Sequence, residues 1–257
     1  MMYVYESSHT IFDNTTDVLK QDVPTVVEIA RRLLPPALQN QVIKDIGSAG
    51  FKVKSGDIDL FIDQAITLKN YGVDDPAQAK KALQTHLAAQ KIPAVVKGRN
   101  VHADIPYKNA DGREAFAQVD YMIIPNAAKV ADWHQHGPRG MYDDPNFKAS
   151  QLFILLNSIG KALGVKVDAF GGTVLRRDNN EVVADNRRDA AKLLLNPKAK
   201  PEDLNSVATV MTALDNDPDR EAKLAQARQD QAKGLLTLPE DHAPGTAAWF
   251  RKMGHIV

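Results

Sequence analysis

The sequence predicts a mixed α+β fold in which a small β-sheet is backed by helices and followed by a helical C-terminal region. Residues 43–124 contain apolar and alternating segments with the period of two that is typical of strands. Helical periodicity dominates after residue 147. The 257 residues are 44% hydrophobic and 25% charged, as in globular chains that bury a sizeable core.

Two helices are predicted in the first part of the chain. The first begins near Asp22, has Pro24 near its first turn and ends at Pro35. Its apolar residues have helical spacing and are Val26, Val27, Ile29, Ala30, Leu33 and Leu34. A second helix is expected to run from Pro36 toward Ile43.

The middle of the chain is predicted to form the sheet. A short apolar stretch runs into Gly47 and Ser48, and residues 57–62 form a second strand after a polar turn. A helix begins at Asp75 and Pro76 and ends near residue 92.

Two further strands complete the predicted sheet. They cover residues 101–107 and 115–124, and the turn between them contains Asp111 and Gly112, a pair that is typical of hairpins. Pro125 ends the second of these strands, because proline cannot donate to a ladder.

The rest of the chain is predicted to be mainly helical. A loop rich in Gly, Pro, His and Asp is expected over residues 132–145. The elements predicted after it are a helix over 147–163, a hairpin over 165–175 and helices over 188–195, 201–214 and 219–233. The last helix is polar nearly all round, which indicates a solvated or poorly anchored helix.

The composition excludes several kinds of site. There is no cysteine, which rules out a disulfide scaffold, a thiolate zinc site and a cysteine nucleophile, so a metal must bind to oxygen or imidazole. The 32 basic and 32 acidic residues argue against binding to nucleic acid or membrane by bulk charge. Residues 1–10 lack a secretory signal and no apolar run spans a bilayer, so a cytoplasmic protein without membrane partners is expected.

The most informative segment is residues 47–63. Asp57 and Asp59 are separated by one residue on a strand, so their side chains point to the same face while Ile58 enters the core. Paired carboxylates of this kind can share two divalent cations in phosphoryl transfer. Asp120, in a later apolar strand, is the natural third carboxylate.

The turn before this strand supplies a second feature. Gly47 allows close approach of the backbone to a polyphosphate, and Ser48 offers a hydroxyl and an amide donor. An Asp-x-Asp sequence alone is common on edge strands and in turns. Its coincidence with Gly-Ser and with a third aspartate favours a catalytic site over that structural interpretation.

These residues resemble the nucleotidyltransferase superfamily typified by DNA polymerase beta, and most closely in motif the family X DNA polymerases. The similarity rests on Ser55 to Ile62 and on Val119 to Pro125, and it extends firmly over residues 43–125. It implies a palm-like mixed sheet, with two Mg²⁺ or Mn²⁺ ions bound by Asp57 and Asp59. Asp120 would bind the catalytic ion and help to deprotonate an acceptor hydroxyl.

The resemblance also implies that Gly47 and Ser48 hold the triphosphate of an NTP or dNTP. Family X polymerases usually have arginines after the Gly-Ser pair, whereas this chain has Ala49, Gly50 and Phe51. Lys52 and Lys54 follow, and one lysine is the expected substitute, as a point charge without the planar fork of arginine. Lys52 is the one assigned to the site. No helix-hairpin-helix signature occurs in the first forty residues.

The implied domain organisation has four parts. They are an N-terminal helical segment over residues 1–40, a catalytic palm-like domain over 41–130, a thumb-like helix and hairpin over 131–200, and a C-terminal helical tail over 201–257.

The expected activity is transfer of a nucleoside monophosphate from an NTP or dNTP to an acceptor hydroxyl, with release of pyrophosphate. A nucleic-acid 3′ end is the first acceptor class, and RNA or tRNA, a protein or a small molecule are alternatives. A non-catalytic nucleotide- or nucleic-acid-binding module is a third hypothesis.

Basic residues between 148 and 200 form either a solvated surface or a phosphate track. His134 and His136, in the loop after the third carboxylate, are further candidates for a metal or for contact with the nucleotide.

Overall fold

The structure is a computed structural model that describes residues 11–47, 49–50, 53–134, 149–215, 217–233 and 236. Contacts within the chain divide it after Gln135 into two compact units. The described part of the first unit is residues 11–134, and that of the second lies between residues 149 and 236.

The described part of the first unit is built on a mixed β-sheet. The strands of the unit are β1 (Val18–Leu19), β2 (Ile43–Ile46), β3 (Lys54–Ser55), β4 (Asp57–Asp63), β5 (Ala94–Lys97), β6 (Asn100–Lys108) and β7 (Glu114–Ile124). Strands β1 and β3 form a separate antiparallel pair, and the other five form one sheet in the order β2-β4-β7-β6-β5. The helices of the unit are α1 (Val23–Arg32), α2 (Pro36–Gln39), α3 (Gln64–Tyr71), α4 (Pro76–Ala89) and α5 (Ala127–His134). Strands β4 and β7 pair in parallel, and the other neighbours in the sheet are antiparallel.

The hydrophobic core of this unit lies on one face of the sheet. Ile58, Leu60 and Ile62 of β4 are buried in a cluster with residues of β6, β7, α1 and α4. Because side chains alternate along a strand, Asp57 and Asp59 point to the opposite face. Burial of β4 against the core therefore sets where its two carboxylates lie.

The second unit combines helices with a three-stranded antiparallel sheet. Its elements are α6 (Ala149–Ala162), β8 (Val165–Asp168), β9 (Thr173–Arg176), β10 (Val182–Ala184), α7 (Arg187–Leu194), a 3₁₀ helix (Pro201–Leu204), α8 (Val207–Leu214) and α9 (Arg220–Ala232). None of the helices among the described residues is long and apolar enough to cross a membrane.

The structure confirms the mixed α+β class and most of the predicted elements. The helix that begins at Asp22, the strand at 57–62, the two strands around the Asp-Gly turn and the hairpin after residue 165 are all present. The structure also contains elements that were not predicted from the sequence, namely β1, β3, β5, β10, α3 and α5.

Three predicted elements were wrong in part. The second helix ends at Gln39, because Ile43 instead pairs with Phe61 of β4. The helix predicted over 201–214 is divided, because Ser206 accepts a hydrogen bond from the Thr209 N–H and starts a new helix. Residues 132–134 of the predicted loop belong to α5, in which Trp133 is buried.

Helix α9, which was predicted to be polar nearly all round, is anchored through buried charges. The Lys223 ammonium pairs with Asp217 and donates to the Leu195 carbonyl at 2.9 Å. Asp230 accepts from Ser158 Oγ at 2.8 Å and from Lys161 Nζ at 2.7 Å. Pairing and hydrogen bonding offset part of the cost of burying these charges, and the buried Leu224 and Ala227 supply apolar packing, so the helix is held against the unit.

Candidate active site

The three predicted carboxylates lie side by side on the sheet face opposite the core. Asp57 and Asp59 lie on β4, and Asp120 lies on β7. The parallel pairing aligns Asp59 directly with Asp120 and aligns Asp57 with Gln118. In-register neighbours on adjacent strands point to the same face, so two strands bring three aspartates to one surface.

Burial and mutual repulsion disfavour ionisation of the two aspartates on β4. Burial raises the pKa of Asp57 to about 6, and the negative charge of Asp120 adds to the increase, whereas His102 opposes it. Burial, followed by the charges of Asp57 and Asp120, also raises the pKa of Asp59 well above its usual range. Concentrated negative charge of this kind is relieved by a bound cation.

Asp120 is held by three donors that the sequence analysis did not identify. Its Oδ1 lies 2.7 Å from His102 Nδ1 and 3.0 Å from Gln118 Nε2, and its Oδ2 accepts from Asn100 Nδ2 at 3.1 Å. The available signal was the alternation of β6, where Asn100 and His102 interrupt an apolar strand on one face. The register of β6 with β7, which pairs His102 with Asp120, could not be derived from that pattern.

Gly47 lies in the turn after β2, directly against Asp59. Its backbone has φ +72°, and a Cβ at this position would lie 2.5 Å from Asp59 Oδ2. The position therefore requires glycine both for its left-handed conformation and for the close approach of a carboxylate. The described part of the Gly-Ser turn thus lies at the carboxylates.

Two of the predicted phosphate-binding residues, Ser48 and Lys52, lie outside the described residues. Lys54, the second lysine after the turn, donates to Asp17 Oδ2 at 2.6 Å. Lys54 is therefore engaged in a surface ion pair. His134 lies in α5 with its ring 5.4 Å from that of Phe61, and His136 is outside the described residues.

The donor chemistry fits a hard divalent cation, because carboxylate oxygens are the ligands that Mg²⁺ and Mn²⁺ prefer. In the described part of the chain, however, no three acidic or histidine side chains lie close enough together to bind a metal ion as they stand. This finding is compatible with a cation site, because carboxylates that repel one another are not expected to converge fully until a cation neutralises them.

The raised pKa of Asp57 predicts that the cation-free protein loses stability as the pH rises. A carboxyl whose pKa is about 6 in the folded protein and 3.8 in the unfolded chain contributes stability that is fully present below pH 3.8 and is lost as the pH rises through 6. Urea unfolding in EDTA between pH 4 and 7 gives the free energy of unfolding at each pH. For the Asp57→Asn variant this free energy should depend less steeply on pH than for the wild-type protein. An identical pH dependence in the variant would contradict the assignment.

Comparison with known proteins finds no protein-family model and no curated protein that matches this sequence. Two solved structures that are similar to the chain are ternary complexes of polymerase beta from Leishmania infantum, described as a P/T complex and a gap complex. The first is 15% identical with a TM-score of 0.47, and the match covers 74% of this chain and 77% of that one. The second is 14% identical with a TM-score of 0.48, and the match covers 74% and 71%.

Proposed function

We propose that this protein is a metal-dependent nucleotidyltransferase that transfers a nucleoside monophosphate from an NTP or dNTP to an acceptor hydroxyl. The observation that carries the proposal is the alignment of Asp59 with Asp120 on parallel strands, with Asp57 two residues away on the same face. The position of Gly47 against Asp59 supports it, since it brings a candidate phosphate-binding turn to the same place.

In the proposed reaction, the acceptor hydroxyl oxygen forms a bond to the α-phosphorus while the bond from that phosphorus to the pyrophosphate oxygen breaks. Asp57 and Asp59 would hold two Mg²⁺ or Mn²⁺ ions, and Asp120 would hold the catalytic one. Bound cations supply charge neutralisation and orient the attacking and leaving oxygens. Asp120 would also help to accept the hydroxyl proton, and pyrophosphate leaves with the electron pair of the broken bond.

The triphosphate would be held by the turn that begins at Gly47. A positive-φ glycine allows the backbone to approach phosphate oxygens, and the hydroxyl of Ser48 and the ammonium of Lys52 are the proposed side-chain contacts. The turn would therefore hold the phosphates that leave as pyrophosphate, and the carboxylates would hold the cations at the phosphorus that is transferred.

A nucleic-acid 3′ end is the proposed acceptor. Exposed basic side chains of the second unit that suit phosphate contacts are Arg188, Lys192, Lys198 and Lys200. Two other arginines of this stretch have structural partners, because Arg177 donates to the Val165 carbonyl and Arg187 to the Pro201 carbonyl. Fewer basic residues are therefore proposed to contact phosphate than the composition of the segment suggests.

The test is incubation of the protein with Mg²⁺ or Mn²⁺ and α-labelled NTPs or dNTPs. Separate reactions offer primed DNA, single-stranded DNA, RNA, tRNA, a small alcohol and the protein itself. We expect label on a nucleic-acid 3′ end and release of pyrophosphate. Label on protein or on the small alcohol would retain the chemistry and change the acceptor. Absence of both labelling and calorimetric nucleotide binding would favour a non-catalytic module.

A further inference from the structure

We infer that His102 is a positioning residue that fixes the carboxylate of Asp120 for nucleotidyl transfer. The inference rests on the proposed function and assigns a role to a histidine that no sequence motif identified. His102 lies on β6 and is the antiparallel register partner of Asp120 on β7. The sheet therefore holds the two side chains together independently of any flexible loop.

The contact between the two residues is short and shielded from solvent. His102 Nδ1 lies 2.7 Å from Asp120 Oδ1, and the two residues are 7% and 5% exposed. Hydrogen bonds to an ionised group are stronger than neutral ones, and exclusion of water strengthens them further. This bond is thus suited to restrain the carboxylate.

The surrounding donors assign the proton of the imidazole. Asp120 Oδ1 also accepts from Gln118 Nε2 at 3.0 Å, and the orientation of Gln118 is fixed because its Oε1 accepts from the Ile11 N–H at 2.7 Å. In the carboxylate form that would bind a cation, Asp120 only accepts hydrogen bonds, so His102 donates to it through Nδ1 in that form. Oδ1 consequently has two donors.

The donor arrangement leaves one part of the carboxylate available to a ligand. A carboxylate offers about four acceptor positions. His102 and Gln118 occupy two of them at Oδ1, and Asn100 occupies one at Oδ2. The remaining position is on Oδ2, so the three donors orient Asp120 toward a cation or an acceptor proton through that oxygen.

Asp120 differs in this respect from the other two carboxylates. Within the described residues, three side chains hold Asp120 through hydrogen bonds, and no side chain donates one to Asp57 or Asp59. Asp57 accepts a hydrogen bond from its own backbone N–H. The third carboxylate is therefore the pre-oriented member of the set. Partners that orient metal-binding groups typically contribute about 10- to 100-fold in metal affinity or activity.

The test compares two substitutions that differ in one donor. In His102→Leu the Nδ1–H is lost, whereas in His102→Asn the side-chain amide can place an N–H near the former position of Nδ1. For each variant, Mn²⁺ affinity is measured by electron paramagnetic resonance of the free ion. The values of kcat and KM for the nucleotide are measured with α-labelled nucleotide and the acceptor that the wild-type protein labels. His86→Leu is the matched control, because His86 lies on α4, on the core side of the sheet, and contacts the Leu33 carbonyl rather than Asp120.

We expect His102→Leu to weaken Mn²⁺ binding or lower kcat by about 10- to 100-fold with little change in KM. His102→Asn should recover most of the loss, and His86→Leu should retain wild-type kcat and Mn²⁺ affinity. Equal losses in both His102 variants, or no loss in His102→Leu, would overturn the positioning role while wild-type turnover upholds the proposed function. A wild-type protein without turnover and without Mn²⁺ binding would overturn both.

Discussion

Replacement of Asp57 by Asn is expected to lower nucleotidyl transfer by at least about 10³-fold while stabilising the cation-free protein. The loss of activity follows because the proposed cations provide several kcal/mol of charge stabilisation, and each 1.36 kcal/mol corresponds to a factor of ten in rate. The gain in stability follows because the substitution removes one of three carboxylates that repel one another on a partly buried face.

Two measurements on the Asp57→Asn variant test this prediction. Labelled transfer gives the activity, and urea unfolding in EDTA gives the free energy of unfolding. Asp111→Asn is the control, because it makes the same chemical change in the exposed turn between β6 and β7. Turnover within tenfold of wild type in a folded Asp57→Asn variant would refute the assignment of this residue.

Replacement of Gly47 by Ala is expected to lower activity at least about 100-fold and to cost about 1–2 kcal/mol of stability. An L-residue in the left-handed conformation accounts for the stability cost. The new Cβ would lie 2.5 Å from Asp59 Oδ2, so the carboxylate or the turn must move. Small displacements of positioned groups are known to cost about 10²-fold in rate.

Gly98→Ala separates these two effects. Gly98 also has positive φ, at +59°, but a Cβ there would meet nothing within 4 Å. Gly98→Ala should lose the stability that backbone strain alone costs, Gly47→Ala should lose at least as much, and only Gly47→Ala should lose labelled transfer. A similar loss of activity in both variants would show that strain in general, rather than contact with Asp59, causes the defect.

The local signals in the sequence predicted the hairpin of β6 and β7 well. Asn109 Oδ1 accepts hydrogen bonds from the Asp111 and Arg113 N–H groups, and Gly112 has φ +77°. Turn chemistry of this kind depends on neighbouring residues alone, so it can be derived from the sequence. By contrast, the edge strand β5 forms by pairing with β6. Its four residues show only a weak alternation of apolar and polar side chains, so the sequence of this segment alone does not predict a strand.

The candidate site was predictable to different extents for different residues. Alternation along β4 was sufficient to place Asp57 and Asp59 on one face, and an apolar strand interrupted by one aspartate identified Asp120. The roles of these residues in binding cations stay predictions. His102, Gln118 and Asn100 were missed, because a polar residue in an apolar strand does not reveal its partner on another strand.

By itself, the sequence determined the class of fold, the segments that form most of the sheet and the three carboxylates that favour nucleotidyl transfer. These properties follow from periodicity, turn residues and side-chain chemistry, all of which act over a few neighbouring positions. Only the tertiary structure decided that β4 and β7 are parallel neighbours and that β6 aligns His102 with Asp120. Strand order and register arise from burial of one sheet face against α1 and α4, which lie far from β7 along the chain.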